Sequence, residues 1–359
     1  MGLPSITIKF QAAAKEVSRR GGQGTVGLII KDSASVSTNP LVLMSASDIP
    51  STLSESNRKY IAQAFVGNVN RPSRVYVYVL AAAAASYETA LAAFAKLDLD
   101  WVAGDPAATE TLAGEIKTWV GTQRGSYDSV VKAVLPETEA DDEAIVDFDA
   151  SGILVGGSTY AAAAYCARIA GLIAGTPLWE STSYVALPEV DDVTRKTRAA
   201  LDAEVDAGKF VLLFDGTKVK TGRGVTSLTT TTAKPALLKK IKIVETLDLI
   251  KRDLRLLVED EYIGKYANSY DNKCVLLTAV KSYLTELEGE GILQSGKSTV
   301  QIDLAAQEAY LKSQGVDVSK MTETEIKNAD TGSKVFLLAT IRILDAIEDV
   351  EITVDYTEV

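Results

Sequence analysis

The spacing of hydrophobic positions changes along this chain, and each change marks a different kind of structure. Between residues 21 and 235 short apolar runs alternate with amphipathic stretches. The runs predict strands over 26–30, 75–80, 99–103, 129–135, 153–155, 184–187 and 210–214. The stretches predict helices over 87–96, 107–120, 159–173 and 193–207. Apolar strands separated by helices belong to a largely parallel sheet, because crossover helices hide both of its faces from water. The first domain is therefore expected to be α/β, closing near Lys234 and Pro235 after the polar run 229–232.

From residue 236 the period lengthens. Leu237, Ile241, Val244, Leu247, Ile250, Leu254 and Leu257 recur every three or four positions, the stripe of a long helix with one buried face. A second helix carries Leu276, Ala279, Val280, Tyr283, Leu284 and Leu287 on one stripe, with Asp271 as its expected N-cap. A strand over 299–304, a short helix over 305–312 and a β-rich stretch over 334–344 follow, so the second domain, 236–345, is expected to be α+β.

Both ends show a two-residue period. Ile6, Ile8 and Phe10 alternate with Ser5, Thr7 and Lys9, and Val350, Ile352, Val354 and Tyr356 alternate with Glu351, Thr353, Asp355 and Thr357. Each is a half-buried strand with no sequence neighbour to pair with, so residues 1–20 and 346–359 are expected to be arms. Their charges oppose. Lys9, Lys15, Arg19 and Arg20 stand against Glu16 in the first, while Asp345, Glu348, Asp349, Glu351, Asp355 and Glu358 face no base at the other end.

Composition removes whole classes of function. The chain has 359 residues, 47% hydrophobic and 24% charged, which fits a folded protein of about two or three domains. It has no histidine, so no Ser/His/Asp triad, Cys/His dyad or histidine metal site can form. Its two cysteines, Cys166 and Cys274, lie in apolar surroundings and build neither a zinc site nor a disulfide framework, which leaves open at most one long-range bridge. A net charge of −11 opposes nucleic acid and anionic membranes. The weakly polar stretch 153–179 is broken by Gly156 and Gly157 and carries Arg168 at its centre, so no membrane span is expected.

Three motifs invite chemistry. Residues 291–298, GILQSGKS, match the phosphate-loop pattern and would place Lys297 on a nucleotide, making an α/β nucleotide-binding enzyme the alternative function. A phosphate loop must leave a strand and open a helix; here a helix precedes and a strand follows. Gly22, Gly24 and Gly27 match a dinucleotide fingerprint, but a strand follows them too, which fits a hinge. Residues 147–152, DFDASG, begin like a calcium loop yet place Ser158 where the bidentate glutamate belongs. With Glu137, Glu139, Asp141, Asp142 and Glu143 they are expected to form a solvated acidic loop. No cofactor or metal is expected.

The whole order of segments resembles the contractile tail sheath proteins of phages and phage-tail-like (R-type) bacteriocins. The resemblance covers most of the chain. It is carried by the alanine-rich helix and turn 161–179, by Arg198-Ala199-Ala200-Leu201 leading into Phe210-Val211-Leu212-Leu213, and by Gly224-Val225-Thr226-Ser227-Leu228-Thr229. It continues through the helix 241–259, Leu284-Thr285-Glu286-Leu287, the turn 290–296 and the closing strands. It implies an α/β domain of subtilisin-like fold without catalytic residues, an α+β C-terminal domain and extended terminal arms. It also implies a structural role: subunits in six-membered rings stacked into a helical sheath around an inner tube protein, meeting baseplate and terminator proteins, and contracting to drive the tube through a cell envelope. Such a subunit assembles in the cytoplasm of the producing cell and leaves in a released particle. The arm strands Ile6, Ile8, Phe10, Val350, Ile352, Val354 and Tyr356 would then flank a neighbour's sheet containing Val300, Ile302, Val335, Leu337, Ala339 and Ile341, with 12–24 and 345–349 as flexible linkers.

Overall fold

The computed structural model describes residues 24–355. Within them the chain forms two compact units, one of residues 24–252 with 345–355, the other of 253–344.

The larger unit contains β1 (Thr25–Asp32), β2 (Leu41–Leu43), α1 (Glu55–Ala64), β3 (Arg74–Ala81), α2 (Glu88–Phe94), β4 (Trp101–Ala103) and α3 (Glu110–Ser126). It continues with β5 (Lys132–Pro136), β6 (Ile145–Asp149), β7 (Ile153–Val155), β8 (Ser158–Tyr160), α4 (Cys166–Ala174), α5 (Arg198–Asp206), β9 (Lys209–Phe214) and β10 (Val219–Thr221). Eight strands form one sheet in the order β10-β9-β6-β5-β4-β1-β3-β2. Neighbours from β9 to β3 run parallel, and β10 and β2 close the edges antiparallel. In β1, Val26, Leu28 and Ile30 pack with Tyr60, Ile61 and Ala64 of α1 and Ile169 and Leu172 of α4. Ile29 turns to the other face, among Phe94 of α2 and Ile116 and Val120 of α3. Both faces are covered, and each such side chain contributes about 1.5–3 kcal/mol relative to exposure. This is why the strands lack a polar period.

The stretch 153–179 is core. All nine residues of α4 are buried, and Arg168 is neutralised there by Glu189 at 2.6 Å and by donation to the Gly67 carbonyl at 2.7 Å. Among the described residues no helix is long and apolar enough to cross a membrane. At Gly171 a Cβ would stand 2.0 Å from the Ala64 carbonyl oxygen, so the α1–α4 crossing requires a residue without a side chain.

The chain leaves the α/β unit through α6 (Ile241–Glu261). The second unit adds α7 (Tyr270–Gly289), β11 (Thr299–Ile302), α8 (Leu304–Ser313), α9 (Glu323–Asn328) and β12 (Leu337–Thr340). β11 and β12 form a two-stranded antiparallel sheet, with Val300 opposite Ala339 and Ile302 opposite Leu337.

Several expectations need correction. Residues 147–149 are not a solvated loop: they lie in β6, inside the sheet, with Asp147 1% exposed. The flanking acids masked a strand whose apolar residues Ile145, Val146 and Phe148 are buried. Residues 184–187 form no strand, only a bridge from Ala186 to Lys220. The helix expected over 159–173 starts at Cys166, because Gly156 and Gly157 adopt positive φ and turn β7 back on β8. The helix expected over 193–207 starts at Arg198, where the Thr197 side chain accepts from the Ala200 amide. The N-cap of α7 is Ser269, not Asp271; its side chain accepts from the Asn272 amide and leaves Asp271 in the first turn. The β-rich stretch 334–344 pairs only over β12 and at a bridge from Ile343 to Leu293, so Val335 and Ile341 flank the strand. The segments β2, α1 and α9 carry no period strong enough to be predicted.

Candidate assembly site

An open α/β sheet binds ligands where its strand order reverses, outside the carboxyl ends of the strands. Here that point lies between β1 and β4. Asp32, ending β1, accepts from the amides of Ala34 and Ser54 at 2.9 Å and from Ser54 Oγ and Asn57 Nδ2 at 2.8 Å. Burial pushes its carboxyl up, but these donors outweigh that and hold it far below the ordinary range. Beyond β4, Tyr87 donates to Asp105 and Tyr60 to the Gly104 carbonyl, each at 2.6 Å. These polar groups are satisfied by one another and by nearby backbone groups.

The donors of the phosphate-loop lookalike are satisfied in the same way. The amides of Gly296 and Ser298, which a phosphate would need, donate to the Glu288 carboxylate at 2.9 and 2.7 Å. Bonding with Ser298 and the Gly296 amide brings that carboxyl down to about 2. An anion of the chain's own occupies the donors, and the loop joins α7 to β11. Lys297→Ala is therefore expected to leave both assembly and nucleotide behaviour unchanged. Calorimetry with ATP checks this; saturable micromolar binding lost in the variant would make the loop a phosphate site.

The calcium-loop lookalike is dismantled by the sheet. Asp147 accepts from the Thr138 amide at 2.7 Å, and burial pushes its carboxyl up to about 6. Asp149 is occupied by Lys209 at 2.8 Å. Among the described residues no group of three potential ligands could hold a metal ion.

What remains is surface. Of the expected arm residues, Ile6, Ile8, Phe10 and Tyr356 lie outside the described residues. Val350, Ile352 and Val354 are 69%, 76% and 74% exposed and belong to no strand of the subunit. In the second unit the β11–β12 sheet carries Val300, Ile302, Leu337 and Ala339, and no third strand joins it among the described residues. The two sets belong to different units.

Residues 345–349 are not a free linker. Glu348 is buried against Ser181, Ser183 and Lys240, Asp345 also reaches Lys240, and Asp349 pairs with Arg223. Burial pushes the Glu348 carboxyl up, and the bonds from Ser183 and Lys240 outweigh that and hold it below its usual range. The acidic excess of this end was legible in the sequence as a match for the basic N-terminal arm. Three of those acids instead answer bases of the α/β unit, and no local pattern singles out Arg223, Lys240, Ser181 or Ser183.

Comparison with known proteins agrees with this picture of a structural surface. The phage tail sheath C-terminal domain family matches residues 233–357. The tail sheath protein of Clostridium phage phiCD119 is 38% identical over 98% of this chain and 99% of its own. The chain belongs to the tail sheath proteins, and its role is structural rather than enzymatic. The mixed α/β fold is shared with the crystal structure of a sheath tail protein from Desulfitobacterium hafniense at a TM-score of 0.70 and 18% identity, covering 83% of this chain and 94% of that one. It is shared equally with the contracted helical sheath of the anti-feeding prophage, at a TM-score of 0.69 and 15% identity over 99% of both chains.

Proposed function

We propose that this chain polymerises in six-membered rings stacked as a helical sheath around an inner tube protein, capped by baseplate and terminator proteins, and contracts to drive the tube through a cell envelope. It would be built in the cytoplasm of the producing cell and carried in a released phage or phage-like particle. The bodies would be 21–235, a subtilisin-like fold stripped of its chemistry, and 236–345, with 1–20 and 346–359 as arms. Solved relatives include an anti-feeding prophage baseplate structure and a contracted helical sheath.

Two incomplete structures carry the reading. Val350, Ile352 and Val354 are apolar side chains at alternate positions, left in water. A two-stranded sheet such as β11–β12 is marginal by itself, and its free backbone groups accept an added strand. Arms Ile6, Ile8 and Phe10 from one neighbour and Val350, Ile352, Val354 and Tyr356 from another would complete it, giving directional main-chain hydrogen bonds that persist while bodies rotate. Energy for contraction would be stored in the lattice at assembly.

Negative-stain imaging of the purified chain tests the reading. Filaments or stacked rings are expected, and sheaths should shorten in acid, heat or denaturant with no nucleotide added. Particles that stay monomeric under all conditions, or that shorten only with a nucleoside triphosphate, would overturn it.

A further inference from the structure

The C-terminal segment is held at its start and free directly afterwards. Asp345 meets Lys240 Nζ at 2.5 Å and Asp349 meets Arg223 at 2.5 Å. Between them the Glu348 side chain is only 8% exposed. It accepts from Ser183 Oγ at 2.5 Å, Ser181 Oγ at 3.0 Å and Lys240 Nζ at 3.1 Å, with Arg223 Nε 3.8 Å away.

The socket is itself braced. The Gly224 amide donates to Ser183 Oγ at 2.8 Å, and its carbonyl accepts from the Ile241 amide at 3.0 Å. The loop 181–183, the loop 223–224 and the start of α6 are thus joined by bonds that do not involve the segment.

The bonds that hold the segment come from polar and charged side chains. A C-terminal segment that sealed its own fold would turn its apolar side chains inward. Here Ile347 is 89% exposed within the clamp, and Val350, Ile352 and Val354 are exposed just beyond it. The apolar face is left for something else.

We propose that this socket is a positioning site for the C-terminal strand: Glu348 pins the segment so that 350–356 leaves the α/β unit at one fixed point and is presented to a second copy of this chain. The proposal rests on the reading of 350–356 as an intermolecular strand. A strand tethered close to its departure point samples fewer arrangements than one on a free linker, so less freedom is lost on docking and its effective concentration at the neighbour's sheet is higher. Glu348 is a positioning residue; it need not touch the neighbour.

The test compares the full-length chain with Glu348→Ala, Glu348→Gln and a chain ending at Asp349. Sedimentation gives the lowest concentration that polymerises, and hydrogen exchange on the unpolymerised protein follows amides 346–350. Glu348→Ala should raise that concentration about tenfold and speed exchange at 346–350. Its thermal midpoint should stay within about 2 °C, because Lys240 keeps Asp345 as a partner. Glu348→Gln, which still accepts from the serines, should fall in between. Wild-type polymerisation or unchanged exchange in Glu348→Ala would overturn the proposal, as would a loss of polymerisation that merely follows loss of the fold. The chain ending at Asp349 separates the two levels. If it polymerises, the intermolecular strand itself is wrong; if it does not while Glu348→Ala does, only the positioning role fails.

Discussion

Removing residues 350–359 should leave a folded subunit that does not polymerise, and removing residues 1–20 should do the same. Folding should survive because the C-terminal strand face contributes almost nothing to its own subunit: Val350, Ile352 and Val354 keep 69%, 76% and 74% of their exposure. Polymerisation should fail because an added strand supplies several main-chain hydrogen bonds, each with a net value of about 1 kcal/mol, and it buries apolar side chains as well. Losing about 5 kcal/mol per contact weakens association by three to four orders of magnitude. Circular dichroism and thermal melting check the fold, and sedimentation checks assembly. A truncated chain that forms normal sheaths, or one that unfolds, would show that the end in question is not an intermolecular arm.

The largest effect on stability is expected at Asp248, which fastens the first turns of α6 to the sheet. Its carboxylate takes a two-pronged bond from Arg124, both distances 2.9 Å, and a third from Lys132 Nζ at 2.8 Å. Lys132, at the start of β5, is 2% exposed. It also donates to the Val130 carbonyl at 3.0 Å, lies 3.0 Å from Glu245 and sits 5.4 Å above the Trp101 ring. Arg252, one turn further along α6, meets Asp100 at 2.5 Å, and Asp100 in turn accepts the Thr25 amide at 2.7 Å.

Asp248→Ala leaves Lys132 buried without its shortest carboxylate contact, and the cost of breaking a buried pair in this way is about 3–5 kcal/mol. Denaturant unfolding followed by tryptophan fluorescence reads the change, since Trp101 lies under Lys132. A loss below about 1 kcal/mol would mean that the cluster is solvated in solution. Lys132→Met combined with Asp248→Leu should recover most of the loss, because replacing both partners removes the stranded charge.

The same residue sets an acid dependence. Burial pushes the Asp248 carboxyl up, but Lys132 and Arg124 outweigh it and hold it below its unfolded value. Its contribution is therefore complete above the unfolded value of about 4 and is lost as the pH falls through the lower native value. Asp147 works the other way. Its native value, raised to about 6, makes its carboxylate a burden at neutral pH that is relieved as the pH falls through that value.

Much of the α/β unit was legible because its signals are local. The apolar runs at 26–30, 75–80 and 210–214 became β1, β3 and β9, since a strand buried on both faces needs no polar period. The stripe from Ile241 to Leu257 became α6 for the equally local reason that residues three or four apart share a helix face. The missed elements are those in which local and global preferences conflict. β6 has acids through and around it, and Asp147 is tolerated inside the sheet because the Thr138 amide meets it. The helix expected from Thr159 was cut short by two glycines able to turn a hairpin.

By itself the sequence determined that no histidine-based chemistry was available and that βα alternation would build a parallel sheet. The tertiary structure alone decided what the charged residues do. Glu348 finds Ser181 across 167 positions, and Arg124 finds Asp248 across 124. Glu288 fills the loop that looked ready for a phosphate. The difference is physical. Periodicity records steric relations among residues a few positions apart, whereas a charge is committed by whichever opposite charge the finished fold places within about 4 Å, and that neighbour leaves no trace in the local sequence.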